Sequence, residues 1–357
     1  MRNPHLQFVQ IDDRASKLVD VVFGVPQGSV LGPVLFNLYV NDLTEHLGSV
    51  NSNQYADDTT LYSSDKPTNI HVCEQRLQLA LDRLSSWSNE CNLALNPVKT
   101  KVMLISTSQL ARVHNLVDHQ VNLVANGQTL ERVSTARLLG TELHQNLDWN
   151  LDTNTKTSSC YATLSVLRKL KNLAPFQVRK QLAESLILSK LDYNDTVTFP
   201  LHGYLVKRLQ RVQLAAAGFV IGKYADLHDV LKLGWLPIPE RQEFHMAKLA
   251  FHSANNRNWP EHLKIKQYVP TRNLRSSKDF KLCSNFTPNT FKYSASNVFN
   301  NLPSTIRFLK APQDFYARCR SYFTAKLMTD CLIKCSKLYV IFQLVLIYSY
   351  SYDYRTF

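Results

Sequence analysis

The chain has 357 residues, with 41 Lys and Arg against 28 Asp and Glu, 45% hydrophobic and 19% charged. That balance excludes a disordered polyelectrolyte and allows two or three modest domains with a sizeable core. The charge is uneven: residues 1–105 hold 8 basic and 11 acidic side chains, the remainder 33 and 17. An acidic front and a strongly basic back suit a metal-binding region joined to a polyanion-binding one, although a solvated basic surface gives the same numbers.

Seven cysteines, at 73, 91, 160, 283, 319, 331 and 335, form no CxxC pair and read as reduced intracellular thiols, not zinc ligands. The polar opening with Pro4 does not read as a signal peptide. The apolar run Leu338 to Tyr350 is too short to span a membrane.

In chain order, residues 6–11 alternate like a strand, Asp12 to Ser16 reads as a turn, and Lys17 to Phe23 as the return strand. Gly24 to Gly32 is loop, and Pro33 opens a helix with Val34, Leu35, Leu38 and Leu43 on one face. Gln54 to Tyr62 reads as a hairpin around Asp57-Asp58. Asn69 to Asn92 reads as a helix carrying Leu77, Leu81 and Leu84. Val102 to Ile105 is a predicted strand, and Val121–Val124 with Leu130–Val133 a predicted hairpin around Asn126-Gly127. Helices are expected at 153–172, 176–192, 204–221, 240–256 and 313–327. The proline-rich stretch 257–312 reads as mostly loop.

The sharpest chemical feature is Tyr55-Ala56-Asp57-Asp58-Thr59. Adjacent carboxylates on a tight turn offer the hard oxygen donors that Mg²⁺ takes alongside water and substrate phosphates. Alone, an Asp-Asp pair is more often an ordinary turn. Upstream lies Gly24-Val25-Pro26-Gln27-Gly28-Ser29, running on through Pro33 to Leu43. Its glycines allow close backbone approach to a base or phosphate, and Gln27 can both donate and accept.

Together, the Pro-Gln-Gly loop with its helix and the Tyr-x-Asp-Asp hairpin resemble reverse transcriptases of non-LTR retrotransposons, of the jockey and chicken-repeat kind. Further segments extend the resemblance over about residues 6–327. They are Asn92 to Lys101, Leu138-Leu139-Gly140-Thr141 with Leu147-Asp148-Trp149, Leu191-Asp192-Tyr193, Lys207 to Gln213, Leu233 to Pro237, Thr271 to Ser277 and Phe299 to Pro303. The resemblance implies an RNA-directed DNA polymerase using Mg²⁺ or Mn²⁺, with an RNA template, a DNA primer or target and dNTP as partners. It involves no membrane. Asp57 and Asp58 are then the metal ligands and catalytic carboxylates, and Lys99 the residue that protonates pyrophosphate or steers the triphosphate. Pro26, Gln27, Gly28, Tyr55, Leu139 and Gly140 are then substrate- and template-binding, the last two in a primer-grip hairpin. Lys156, Arg168, Lys169, Lys171, Lys207, Arg208 and Arg211 are candidate phosphate contacts; without the family, Lys99 and these would be solvated surface cations.

The implied fold is α+β: a partial palm, an antiparallel sheet packed on helices, over 1–150; a helical thumb over 151–235; and an irregular C-terminal region over 236–327. Residues 328–357 match nothing in the family. The family's third metal-binding Asp, its fingers and its endonuclease have no counterpart ahead of Gly24, and Asp12-Asp13 does not fit the pattern. The expectation is therefore a chain inactive in polymerisation. The alternatives are a non-catalytic nucleic-acid-binding remnant and a transposon fossil with no partner.

Overall fold

The computed structural model describes residues 5–21, 24, 28–269, 279–288 and 290–327. Pro26, Gln27, Thr271 to Ser277, Cys331, Cys335 and the 328–357 tail lie outside them. The chain divides into two compact units, residues 1–136 with 144–147, and residues 137–143 with 148–357. The architecture is mixed, helices with small two-stranded sheets, compatible with the expected partial palm.

The first unit opens with the predicted N-terminal hairpin as two short ladders. β1 (His5–Gln7) pairs with β4 (Val19–Val21), and β2 (Gln10–Ile11) with β3 (Arg14–Ala15) around Asp12-Asp13. Proline at the first turn starts α1 (Gly32–Tyr39). This helix is shorter than the sequence suggests. Leu43 belongs to a separate α2 (Leu43–His46) and is buried, while Val34, Leu35 and Leu38 are exposed. Phe36 and Val40 supply the contacts to the core instead.

β5 (Asn51–Tyr55) and β6 (Asp58–Tyr62) form the carboxylate hairpin, followed by α3 (Ile70–Glu90). Leu77, Leu81, Leu84 and Trp87 line the inner stripe of α3, packed on Leu43, Leu47, Val121 and Leu123. Gln78 fastens that helix to the chain at Val124, accepting from its N–H (2.8 Å) and donating to its carbonyl (2.9 Å). The predicted strand 102–105 shrinks to β7 (Lys101–Val102). After α4 (Ser108–Val113), the predicted hairpin forms closer to its turn than expected, as β8 (Val124–Ala125) and β9 (Gln128–Thr129). Asn126 and Gly127 both have positive φ, as a tight two-residue hairpin requires. β10 (Glu131–Arg132) turns away to pair in parallel with β7. β11 (Thr135–Leu138) and β12 (Thr141–His144) make the last hairpin.

The second unit is helical. α5 (Asn150–Lys169) is followed by α6 (Phe176–Ala183), which runs through a π turn (Glu184–Leu188) into α7 (Ser189–Asp192). α8 (Gly203–Ile221) and α9 (Leu227–Lys232) complete one core around Leu164, Ile187, Val212, Val220 and Trp235. α10 (Ile238–Asn255) builds a second core, in which Phe251, Phe299 and Phe315 stack.

Two helices of that second core, α11 (Phe291–Asn300) and α12 (Ser304–Arg307), fall where loop is expected. Pro288 and Pro303 punctuate the stretch but only bracket α11, whose Thr290 hydroxyl caps the Tyr293 N–H. The expected last helix covers 312–327. Burial pushes the Cys160 thiol up to about 11 and the Cys319 thiol to about 12, so both are protonated, apolar core groups. No helix among the described residues is long and apolar enough to cross a membrane.

Candidate functional site

The carboxylates sit at the tip of a two-residue hairpin. Tyr55 faces Asp58 across the ladder, and Ala56 and Asp57 make the turn. Ala56 has φ +52°, a left-handed conformation that costs a residue with a Cβ roughly 1–2 kcal/mol. The turn thus holds a strained residue beside its acids, where only glycine is free of that cost. Asp57 and Asp58 are both exposed, and neither carboxylate has a hydrogen bond or ion pair among the described residues. Free carboxylates of this kind fit a hard divalent cation in donor type. No third Asp, Glu, His or Cys gathers with them among the described residues.

The neighbouring candidates lie in the same unit. Gly28 has φ +82° and open space where a Cβ would stand, so its backbone is approachable. Lys99 is exposed in a turn closed by the Asn96 side chain, which accepts from the Lys99 N–H at 3.2 Å.

The primer-grip-like hairpin turns at Leu139 and Gly140, with φ +45° and +81°. Its tip is held by the Leu191-Asp192-Tyr193 segment: the Tyr193 hydroxyl donates to the Leu139 carbonyl at 2.6 Å, and the Asn194 amide to the Thr141 hydroxyl at 2.6 Å. A Cβ on Gly140 would lie 3.1 Å from the Tyr193 ring. Buried Asp152 accepts from the Glu142 N–H (3.3 Å) and pairs with Lys156 (2.8 Å), and Lys156 also donates to the Tyr193 carbonyl (3.0 Å). The Lys156 ammonium is therefore engaged inside this unit.

Several other motif residues also bind the fold together. Gln210 accepts from the Ile238 N–H and Gln213 donates to the Leu236 carbonyl, while Trp235 donates to Glu184. Asn300 clamps the backbone of Leu282 in both directions.

Sequence reasoning missed a cluster. Asp192, Asp195 and His245 bring their ligand atoms within 4.8 Å of one another. Arg241 pairs with Asp192 through both Nε and Nη2, and His245 Nδ1 lies 2.6 Å from Asp195. The set is thus internally satisfied, a clasp between α7 and α10 and not a set of vacant donors. Its signal was legible as spacing: offsets of three positions between the acids and of four between Arg241 and His245 place each pair on one helical face or turn. Among the basic candidates, Arg168, Lys169, Lys207, Arg208 and Arg211 are exposed. Arg168, Lys171 and Arg211 converge on one depression.

Residues 5–143, which hold the Asp57-Asp58 hairpin and the first three residues of β12, match the family model described as reverse transcriptase (RNA-dependent DNA polymerase). That segment is similar to reverse transcriptases, a family whose members use a divalent metal. Curated proteins similar to the chain are transposon polymerases. The chain is 31% identical over 156 residues to the probable RNA-directed DNA polymerase from transposon BS of Drosophila melanogaster, covering 42% of this chain and 16% of that protein. It is 32% identical over 98 residues to the RNA-directed DNA polymerase from mobile element jockey of the same species, covering 26% and 10%. The jockey polymerase of Drosophila funebris gives 27% over 146 residues, covering 39% and 15%. The aligned chain thus spans at most 16% of the length of these relatives. No solved structure gives a significant match.

Proposed function

We propose that this chain supplies the carboxylate hairpin and the nucleic-acid-binding helices of an RNA-directed DNA polymerase of the non-LTR retrotransposon kind. The observation that carries the reading is the pair of exposed, unpartnered carboxylates on a tight hairpin within residues 5–143. Asp57 is the metal ligand and Asp58 its neighbour in the site. A bound Mg²⁺ or Mn²⁺ would supply activation of the primer hydroxyl and stabilisation of the leaving pyrophosphate. Residues 1–150 act as part of a palm and 151–235 as a thumb. Pro26, Gln27, Gly28 and Tyr55 bind template and incoming dNTP, and Leu139-Gly140 grips the primer. Lys99 steers the triphosphate or protonates pyrophosphate, a role worth on the order of 10²–10⁴-fold in rate.

A second reading, a nucleic-acid-binding remnant without catalysis, is favoured by the lack of a third ligand near Asp57 and Asp58 among the described residues.

The metal assignment is tested by titrating Mn²⁺ calorimetrically into the wild-type chain and Asp57→Asn. Weak binding is expected in the first, because two side chains leave most of the shell to water. It is expected to vanish in the second. Equal binding by both proteins overturns the assignment.

A further inference from the structure

The ends of α5 and α8 enclose a depression of about 600 Å³ that is independent of the carboxylate hairpin. Four cations line it, Arg168, Lys171, Arg211 and Lys223, and no carboxylate does. Its apolar floor includes Phe219 and Leu214, and at its edge stands Tyr224, 89% exposed.

Part of this charge has a structural explanation. Arg168 lies in the last turn of α5, and the Lys171 ammonium donates to the Gly222 carbonyl at 2.9 Å beyond the end of α8. Cations there offset the negative ends of two helices. Each end carries only about half an elementary charge, however, so two helix ends account for about one of the four cations. Asp226 interacts electrostatically with Lys223 from outside the lining, and that leaves roughly two positive charges without a structural counterpart. An exposed tyrosine over an apolar floor is not explained by capping at all.

We infer that this depression binds single-stranded nucleic acid, with backbone phosphates on Arg168, Arg211 and Lys223 and one unpaired base against Tyr224 and the apolar floor. The apolar component decides between single strand and duplex. A duplex turns its bases inward and presents phosphates, which would leave the floor and the tyrosine unused. An unpaired strand offers both a charged backbone and a stacking face. The inference rests on the nucleic-acid reading above but not on polymerisation.

The test uses the full chain and fluorescence anisotropy with a dT12 strand, a 12-base-pair duplex and a strand carrying abasic positions. Arg211→Glu and Lys223→Glu change exposed side chains that hold no described hydrogen bond. Each is expected to weaken dT12 binding and to flatten the salt dependence by about 0.7 or more in log K per log salt. Tyr224→Ala is expected to cost about fivefold or more on dT12 and much less on the abasic strand. Arg318→Glu and Lys326→Glu, exposed and outside the depression, serve as charge-matched comparators and are expected to act more weakly. Four-way equality of the charge reversals, or a Tyr224→Ala variant indistinguishable from wild type on dT12, overturns the site. Absence of binding by the wild-type chain at low salt instead overturns the nucleic-acid reading beneath it.

Discussion

Asp195 illustrates how a buried carboxylate can be held for architecture. It is 5% exposed, and burial raises its carboxyl above the ordinary 3.8, with the His245 hydrogen bond opposing that shift and the neighbouring Asp192 adding to it. The folded chain therefore binds a proton at Asp195 more tightly than the unfolded chain does. Its contribution to stability is fully present below the unfolded value and is lost as pH rises through the raised folded value. Asp195→Asn keeps an acceptor for His245 and carries no charge. Urea midpoints measured from pH 4 upward are expected to shift in favour of the variant as pH rises. A shift in favour of wild type would show that pairing with His245 and Arg241 outweighs burial. Sequence spacing relates Asp192 to Asp195 and Arg241 to His245, but only packing brings the two pairs together and shows that Arg241 has already taken Asp192.

At the scale of elements, the hairpin at Leu139-Gly140 depends on a residue more than fifty positions away. Replacing Gly140 with Ala places a Cβ at φ +81° and 3.1 Å from the Tyr193 ring. The conformational part alone should cost about 1–2 kcal/mol. Tyr193→Phe removes one half-exposed hydrogen bond and should cost about 0.5–1 kcal/mol. Gly140→Ala should be less damaging in a Tyr193→Ala background, because the crowding is then relieved. Additive losses in chemical denaturation would show that the two side chains are not coupled. The hairpin was legible through the family resemblance of Leu138 to Thr141, but its partner was not, because contacts of long sequence separation leave no local pattern. The reverse failure occurred at α11, where prolines read as loop signals only bracket a helix. There Phe291, Ala295 and Phe299 recur at four-residue spacing on the face that meets Phe315. Likewise, the apolar spacing of Val34, Leu35 and Leu38 correctly marks a helix, yet amphipathicity cannot say whether a face is covered.

For the molecule as a whole, the acidic front and basic back match the two capacities proposed above, metal binding and strand binding, and the chain is expected to retain the second without polymerising. Two-metal transfer requires carboxylates that fix both ions about 3.5–4 Å apart. Here Asp57 and Asp58 are consecutive on one hairpin, so both come from a single short segment. No third ligand joins them among the described residues. The nucleotide must also be held in line with the primer end, positioning worth about 7–11 kcal/mol of the barrier in favourable cases. A partly ligated metal cannot provide it. A primer-extension assay on poly(rA)/oligo(dT) with Mg²⁺ or Mn²⁺, run beside the dT12 binding measurement, is expected to show binding and no extension. Extension that disappears in Asp57→Asn would mean that another carboxylate, with Asp12, Asp13 and Asp20 the first to substitute, completes the site when substrate is bound.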